Sequence, residues 1–178
     1  MMGRVPAICF AAGLAVLAGH AHAPLESPQE VEICALQAQP AAYDHKLIDI
    51  SGTVSHGFED FQLSDRTCGK PFGLWLEFGG KATSGTIYCC SGSRDRTRRP
   101  SDLVVEGLTV PLVENALFKA FDARIIQSPR QTSFHAKLRG RFFSGKLQQS
   151  PGGPEWWGGY GHMGCCSLLV IQQVLALN

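Results

Sequence analysis

The sequence predicts a mainly β fold: a five- to six-stranded OB-like barrel with a short N-terminal helix and one longer helix. Three observations carry this. Several short segments alternate apolar and polar residues, the period of a half-buried strand. Two of them share the pattern apolar-x-Gly-x-apolar-x-x-Gly, "ISGTVSHG" at 50–57 and "LRGRFFSG" at 138–145. A glycine inside a strand bends it, as a small closed barrel requires. One segment alone, 113–127, switches to a helical period over a longer run.

The elements follow in chain order. In "PLESPQE" (24–30), Ser27 can cap a helix, Pro28 fits its first turn and Glu30 completes a capping box. Val31, Cys34, Ala35 and Ala38 then recur at helical spacing until Pro40, which places Cys34 on the apolar face. "KLIDISGTVS" (46–55) alternates Ile48, Ile50 and Val54, and "FEDFQLSD" (58–65) is a second strand after a His56-Gly57 turn. "GLWLEF" (73–78) is a third, with Trp75 opposite Leu74 and Leu76; "TIYCC" (86–90) is a weaker fourth. After a basic loop at 91–101, "DLVVEGLTV" (102–110) is again strand-like. Val113, Leu117, Phe118, Phe121 and Ile125 form one helical stripe. "SFHAKLRGRFF" (133–143) returns to period two, with Phe134, Ala136, Leu138 and Phe142 on one face. A glycine-, proline- and aromatic-rich loop spans 146–164, and "SLLVIQQVLAL" (167–177) closes the chain as a β-branched, apolar strand.

The first 23 residues have the form of a secretory signal peptide: Arg4, an apolar run, then Ala21-His22-Ala23. Residues 24–178 form a single OB-like domain. The expected location is exported, periplasmic or secreted, with no membrane span once the signal is removed. Removing Arg4 from the 16 basic residues leaves as many as the 15 acids, so the remaining chain is formally neutral. That balance gives no electrostatic footprint for nucleic acid, and none is expected as a partner.

The segment "YDHKLIDISGTVSHGFEDFQLSD" resembles the opening of a family of small secreted bacterial proteins with an OB-fold-like domain. Tyr43, Asp44, Lys46 and Gly52 match its turn and bent strand, and His45 stands where that family has glycine. "GLWLEFGG", "YCC", "LVVEG" and "GHMGCCSLLVIQQV" extend the similarity over most of the domain. The resemblance implies the fold and export, and no particular activity.

Six cysteines follow the leader: Cys34, Cys68, Cys89, Cys90, Cys165 and Cys166. An even number in an oxidising compartment favours disulfides. Adjacent cysteines on a strand point to opposite faces, which makes them poor joint ligands of one metal. Catalytic redox chemistry would normally use C-x-x-C, which is absent from the sequence. The expected framework links Cys34 to Cys68 and joins the Cys89/Cys90 pair to the Cys165/Cys166 pair by one or two bridges. A vicinal disulfide within a pair would be an unusual, reducible link.

Two surfaces are candidate binding sites. Lys137, Arg139 and Arg141 alternate along one strand face, beside a loop cluster of Arg94, Arg96, Arg98 and Arg99. Such a face could take an anionic ligand. Trp156, Trp157 and Tyr160 could form a stacking platform for a saccharide or peptide, or an aromatic among them could cap the barrel's open end. The four histidines beyond the leader, His45, His56, His135 and His162, lie in separate segments, and no nucleophile, zinc or nucleotide motif is present. Glu77 becomes a candidate base only if buried with a perturbed pKa. The expectation is therefore a disulfide-stapled binding or envelope-associated module without catalysis, metal or cofactor. The alternative is a thiol-redox or metal protein using the two cysteine pairs.

Overall fold

The computed structural model describes residues 26–57, 59–69, 73–86, 96–127, 132–149, 151–153 and 155–178. The strands are β1 (Gln29–Glu30), β2 (Leu47–His56), β3 (Phe61–Ser64), β4 (Leu74–Phe78), β5 (Leu103–Val105), β6 (Leu108–Val110), β7 (Thr132–Phe143), β8 (Lys146–Gln149), β9 (Glu155–Gly158) and β10 (Leu168–Leu177). The helices are α1 (Ile33–Ala38) and α2 (Ala116–Gln127). Strands β2, β3, β4, β10 and β7 follow one another, and β7 pairs back onto β2, closing a five-stranded barrel. All contacts are antiparallel except β4 with β10, which is parallel, and β1, a short parallel extra strand on the early half of β2. This is the OB-like barrel that the strand alternation predicts.

Strands β2 and β7, which carry the two glycine motifs, are neighbours paired along ten positions, from Leu47–Arg141 to His56–Thr132. Gly140 faces β10 so closely that a Cβ there would lie 2.5 Å from the Val170 carbonyl oxygen. The bent strand therefore requires glycine at that point.

Inward residues fill the barrel: Ile48, Ile50, Val54, Leu63, Leu76, Leu138, Leu169 and Ile171 are all fully buried. Helix α2 closes one end through Phe121, whose ring meets Phe61, Phe78 and Phe134 at 5.3 to 6.3 Å. Asn115 starts this helix by accepting the Phe118 amide at 2.9 Å. Phe118, Phe121 and Ile125 are buried as the stripe predicts, but Val113 and Leu117 are exposed. The stripe is narrower because α2 covers only the barrel mouth.

Helix α1 closes the opposite end, and here the sequence reading needs correction. The helix starts at Ile33 after Glu32, because Gln29–Glu30 pair with β2 instead of forming the capping box. Its buried face is Ile33 and Leu36, while Cys34 is exposed. From there Cys34 reaches Cys68, with Cα atoms 5.0 Å apart, as the expected pairing required. The link closes 34 residues of sequence.

Two further segments hold more structure than the sequence suggested. The 102–110 stretch is a hairpin, β5–β6, turned at Glu106-Gly107. The 146–164 loop begins with a second hairpin, β8–β9, pairing Leu147 with Trp157 and Gln148 with Trp156. The "TIYCC" strand, with Cys89 and Cys90, lies outside the described residues apart from Thr86, as does Arg94.

The outer face of β4, of the start of β10 and of the end of β7 is itself buried. Trp75, Phe143, Leu168 and Val170 form a second core with Leu103, Val105 and Val110 of the β5–β6 hairpin and with Cys166. Apolar residues on both faces explain why β10 reads as a continuous apolar run.

Replacing Cys34 and Cys68 together by serine is expected to lower stability by about 3 to 4 kcal/mol through release of the unfolded chain. Urea unfolding of the oxidised wild type and the double variant reads this; equal midpoints would contradict a stapling role.

Candidate functional site

The chain between β7 and β10, residues 144–167, leaves the barrel as a long excursion that carries the β8–β9 hairpin. In OB folds the second and third strands and the adjoining loops carry ligands; here those strands are β3 and β4. The excursion lies across them. Gly161 packs on the Trp75 indole, where a Cβ would sit 2.3 Å from the ring, and it holds φ at 75°. His162 Nδ1 then meets Glu59 Oε2, in the turn between β2 and β3, at 3.4 Å. The usual ligand face is roofed by the protein's own loop. Beneath the roof, the Trp75 Nε1 is fully buried and finds no hydrogen-bond acceptor among the described residues.

A pocket of about 320 Å³ lies at the α1 end, lined by Leu36 and Pro40, by Leu147, Trp156 and Trp157 of the β8–β9 hairpin, and by Cys165 and Cys166. That volume is at the small end of ligand pockets and fits a sugar ring or a short side chain. Glu155 is the only ionisable side chain among its lining residues. A second cleft, of about 380 Å³, on the other side of the loop is lined by Glu59, Asp60, Gln62, His162, Met163 and Cys165. Cys165 thus borders both spaces.

The structure divides the aromatic trio. Trp156 and Trp157 line the pocket, both half-buried. Tyr160 does not join them: its hydroxyl donates to Glu106 on the β5–β6 turn, and Glu106 also meets His45 Nε2 at 2.6 Å. Burial and the Glu106 carboxylate hold the Tyr160 phenol above its ordinary range. His45 and Glu106 both adopt left-handed backbone, with φ of 60° and 49°.

The second correction concerns the cysteines. Cys165 and Cys166 are bonded to each other, not to the Cys89/Cys90 pair. The pair lies before β10, next to the Tyr160–Cys166 bridge, where the backbone is not extended: Cys165 takes φ −60° and ψ −27°. Opposite-face geometry holds for a strand and lapses at this turn. Cys166 is 2% exposed and packs in the second core. Among the described residues, Cys34, Asp65 and Cys68 alone approach as a possible ion-binding group. Two of those three are spent in the disulfide, and Asp65 accepts both the amide and hydroxyl of Thr67 at 2.8 Å.

The basic clusters are paired. Arg139 makes two bonds to Asp49, at 2.7 and 2.8 Å; Lys137 meets Glu30 at 2.8 Å and Arg141 meets Glu26 at 2.6 Å. In the loop, Arg96 pairs with Asp122, Arg98 with Glu114 and Arg99 with Glu77. An anionic ligand would have to displace carboxylates from every described member of both clusters.

Glu77 is buried and burial pushes its carboxyl upward, against the opposing pull of Arg99 and of hydrogen bonds from Phe78 and Ser84. Its oxygens accept from the Phe78 amide at 2.8 Å, the Ser84 amide at 3.1 Å and the Ser84 hydroxyl at 3.0 Å. Arg99 lies 3.3 Å away. Glu77 meets the burial condition set for a base, yet it lines neither the pocket nor the cleft. It ties Ser84 and Arg99 to the barrel.

No family model, curated protein or solved structure matches this chain.

The Ser84 carbonyl also faces His56 Nε2 at 3.3 Å. Burial holds this imidazole below its ordinary 6.5. The unfolded chain therefore takes up the proton first, and stability is lost as pH falls from 6.5 through the lower folded value. Urea unfolding at about pH 8 and about pH 5 should show wild type losing more stability than His56→Gln across that span. Equal losses would contradict it.

Proposed function

We propose that the protein is an exported, disulfide-stapled binding module without catalysis, whose ligand enters the pocket between α1 and the β8–β9 hairpin. The observation that carries this is that Trp156 and Trp157 line this pocket together with Leu36 and Pro40. Indole faces supply large contact area at low entropic cost. The volume and near-absence of charge favour a neutral saccharide unit or an apolar peptide side chain over an anion.

Export is supported by the leader-like residues 1–23 and by the Cys34–Cys68 link. No helix among the described residues is long and apolar enough to cross a membrane. The similarity to small secreted bacterial OB-like proteins points the same way.

A panel of neutral oligosaccharides and short apolar peptides, titrated by indole fluorescence, tests the pocket. At least one member should bind, and Trp157→Ala or Trp156→Ala should weaken it by roughly tenfold or more. The melting temperature should remain close to that of wild type. Binding that survives both substitutions, or a panel with no binder, would contradict the pocket reading.

A further inference from the structure

The Cys165–Cys166 bond does little as a staple. Its two cysteines are one residue apart, against 34 for Cys34–Cys68. Closing so short a loop hardly restricts the unfolded chain, so the bond adds little stability. By the same thermodynamic cycle, folding adds little resistance to its reduction. Cys34–Cys68 gains resistance equal to the stability it confers.

Placement adds a second argument. Cys165 is half-buried and borders both the tryptophan-walled pocket and the Glu59–His162 cleft. Cys166 is buried against the second core. Both line the pocket, but Cys165 is the more exposed, which makes Cys166 the leaving group. Once reduced, the Cys165 thiol has an acceptor in reach, the Tyr160 carbonyl oxygen at 3.9 Å. The turn just before it, His162–Gly164, is short, with left-handed Met163 at 88% exposure. Opening the bond therefore disturbs a surface turn and leaves the barrel intact.

We propose that Cys165–Cys166 is a thiol-exchange site in the wall of the ligand pocket, taking a small dithiol or a peptide with two cysteines as reductant. The proposal rests on the pocket reading for its second substrate-facing wall. The incoming thiolate attacks the Cys165 sulfur; the S–S bond breaks and its electron pair leaves on Cys166, which takes a proton from solvent. The second thiol of the reductant then attacks its own sulfur in the mixed disulfide, expelling Cys165, which is protonated in turn. The reductant leaves as a disulfide, two electrons poorer, and the pair remains as two thiols.

The full chain is incubated with increasing dithiothreitol, quenched with maleimide and mapped by mass spectrometry. The peptide carrying Cys165 and Cys166 should take two labels at a roughly tenfold lower dithiothreitol concentration than Cys34 and Cys68. Labelling at the same or a higher concentration would overturn the proposal. In a parallel arm, the monothiol glutathione should form its adduct on Cys165. An adduct first on Cys166, or none on either, would equally overturn it. These readouts need no pocket ligand, so a failed ligand panel and a failed exchange reaction are separate results.

Discussion

The contact between Gly161 and the Trp75 indole is the constraint on which the outer structure depends. Trp75 projects from the barrel's outer face, and its ring needs cover. A backbone with no side chain can lie flat on it; any Cβ at Gly161 would collide. This contact fixes the loop between β7 and β10 over β3 and β4. It brings His162 to Glu59, buries Cys166 in the second core and closes the face that OB folds commonly use for ligands. One cavity remains at the α1 end and a second cleft beside Gln62 of β3, and Cys165 borders both.

Charge is arranged to hold this shape. The outward cations of β7 meet carboxylates from residue 26 through β2, tying the N-terminal segment along the barrel wall. On another side, buried Glu77 holds Ser84 and Arg99, with Arg99 also donating to the Phe78 and Ala82 carbonyls. A buried pair of this kind is costly to break, since either partner alone is left as a desolvated charge. The described ion pairs thus serve architecture, and the pocket that remains is nearly free of charge.

The barrel is legible because β2 and β7 bury only one of their two side-chain sets, which leaves the alternation visible. Ile48, Ile50 and Val54 point inward as their spacing predicts, and so do Ala136, Leu138 and Phe142. Trp75 opposite Leu74 and Leu76 was also visible. What the sequence hid was long-range. Gln29 and Glu30 carry helix-start chemistry, yet a free edge of β2 takes them as a strand. Glu106-Gly107 splits one apparent strand into a hairpin through two left-handed residues. The acids that neutralise Lys137 and Arg139 stand 107 and 90 residues away. The vicinal disulfide was misread because strand geometry was assumed for Cys165, which sits at a turn. Of the site, Trp156 and Trp157 were named in advance; the α1 wall opposite them has no sequence signature.

The most direct test of the roofed barrel is amide and indole exchange in heavy water, followed by nitrogen-15 NMR. The account predicts that the Trp75 indole proton, buried under Gly161, persists long after the half-buried Trp156 and Trp157 indole protons have exchanged. Exchange of Trp75 as fast as the two pocket tryptophans would contradict the closed face, and with it the displacement of the binding site to the α1 end.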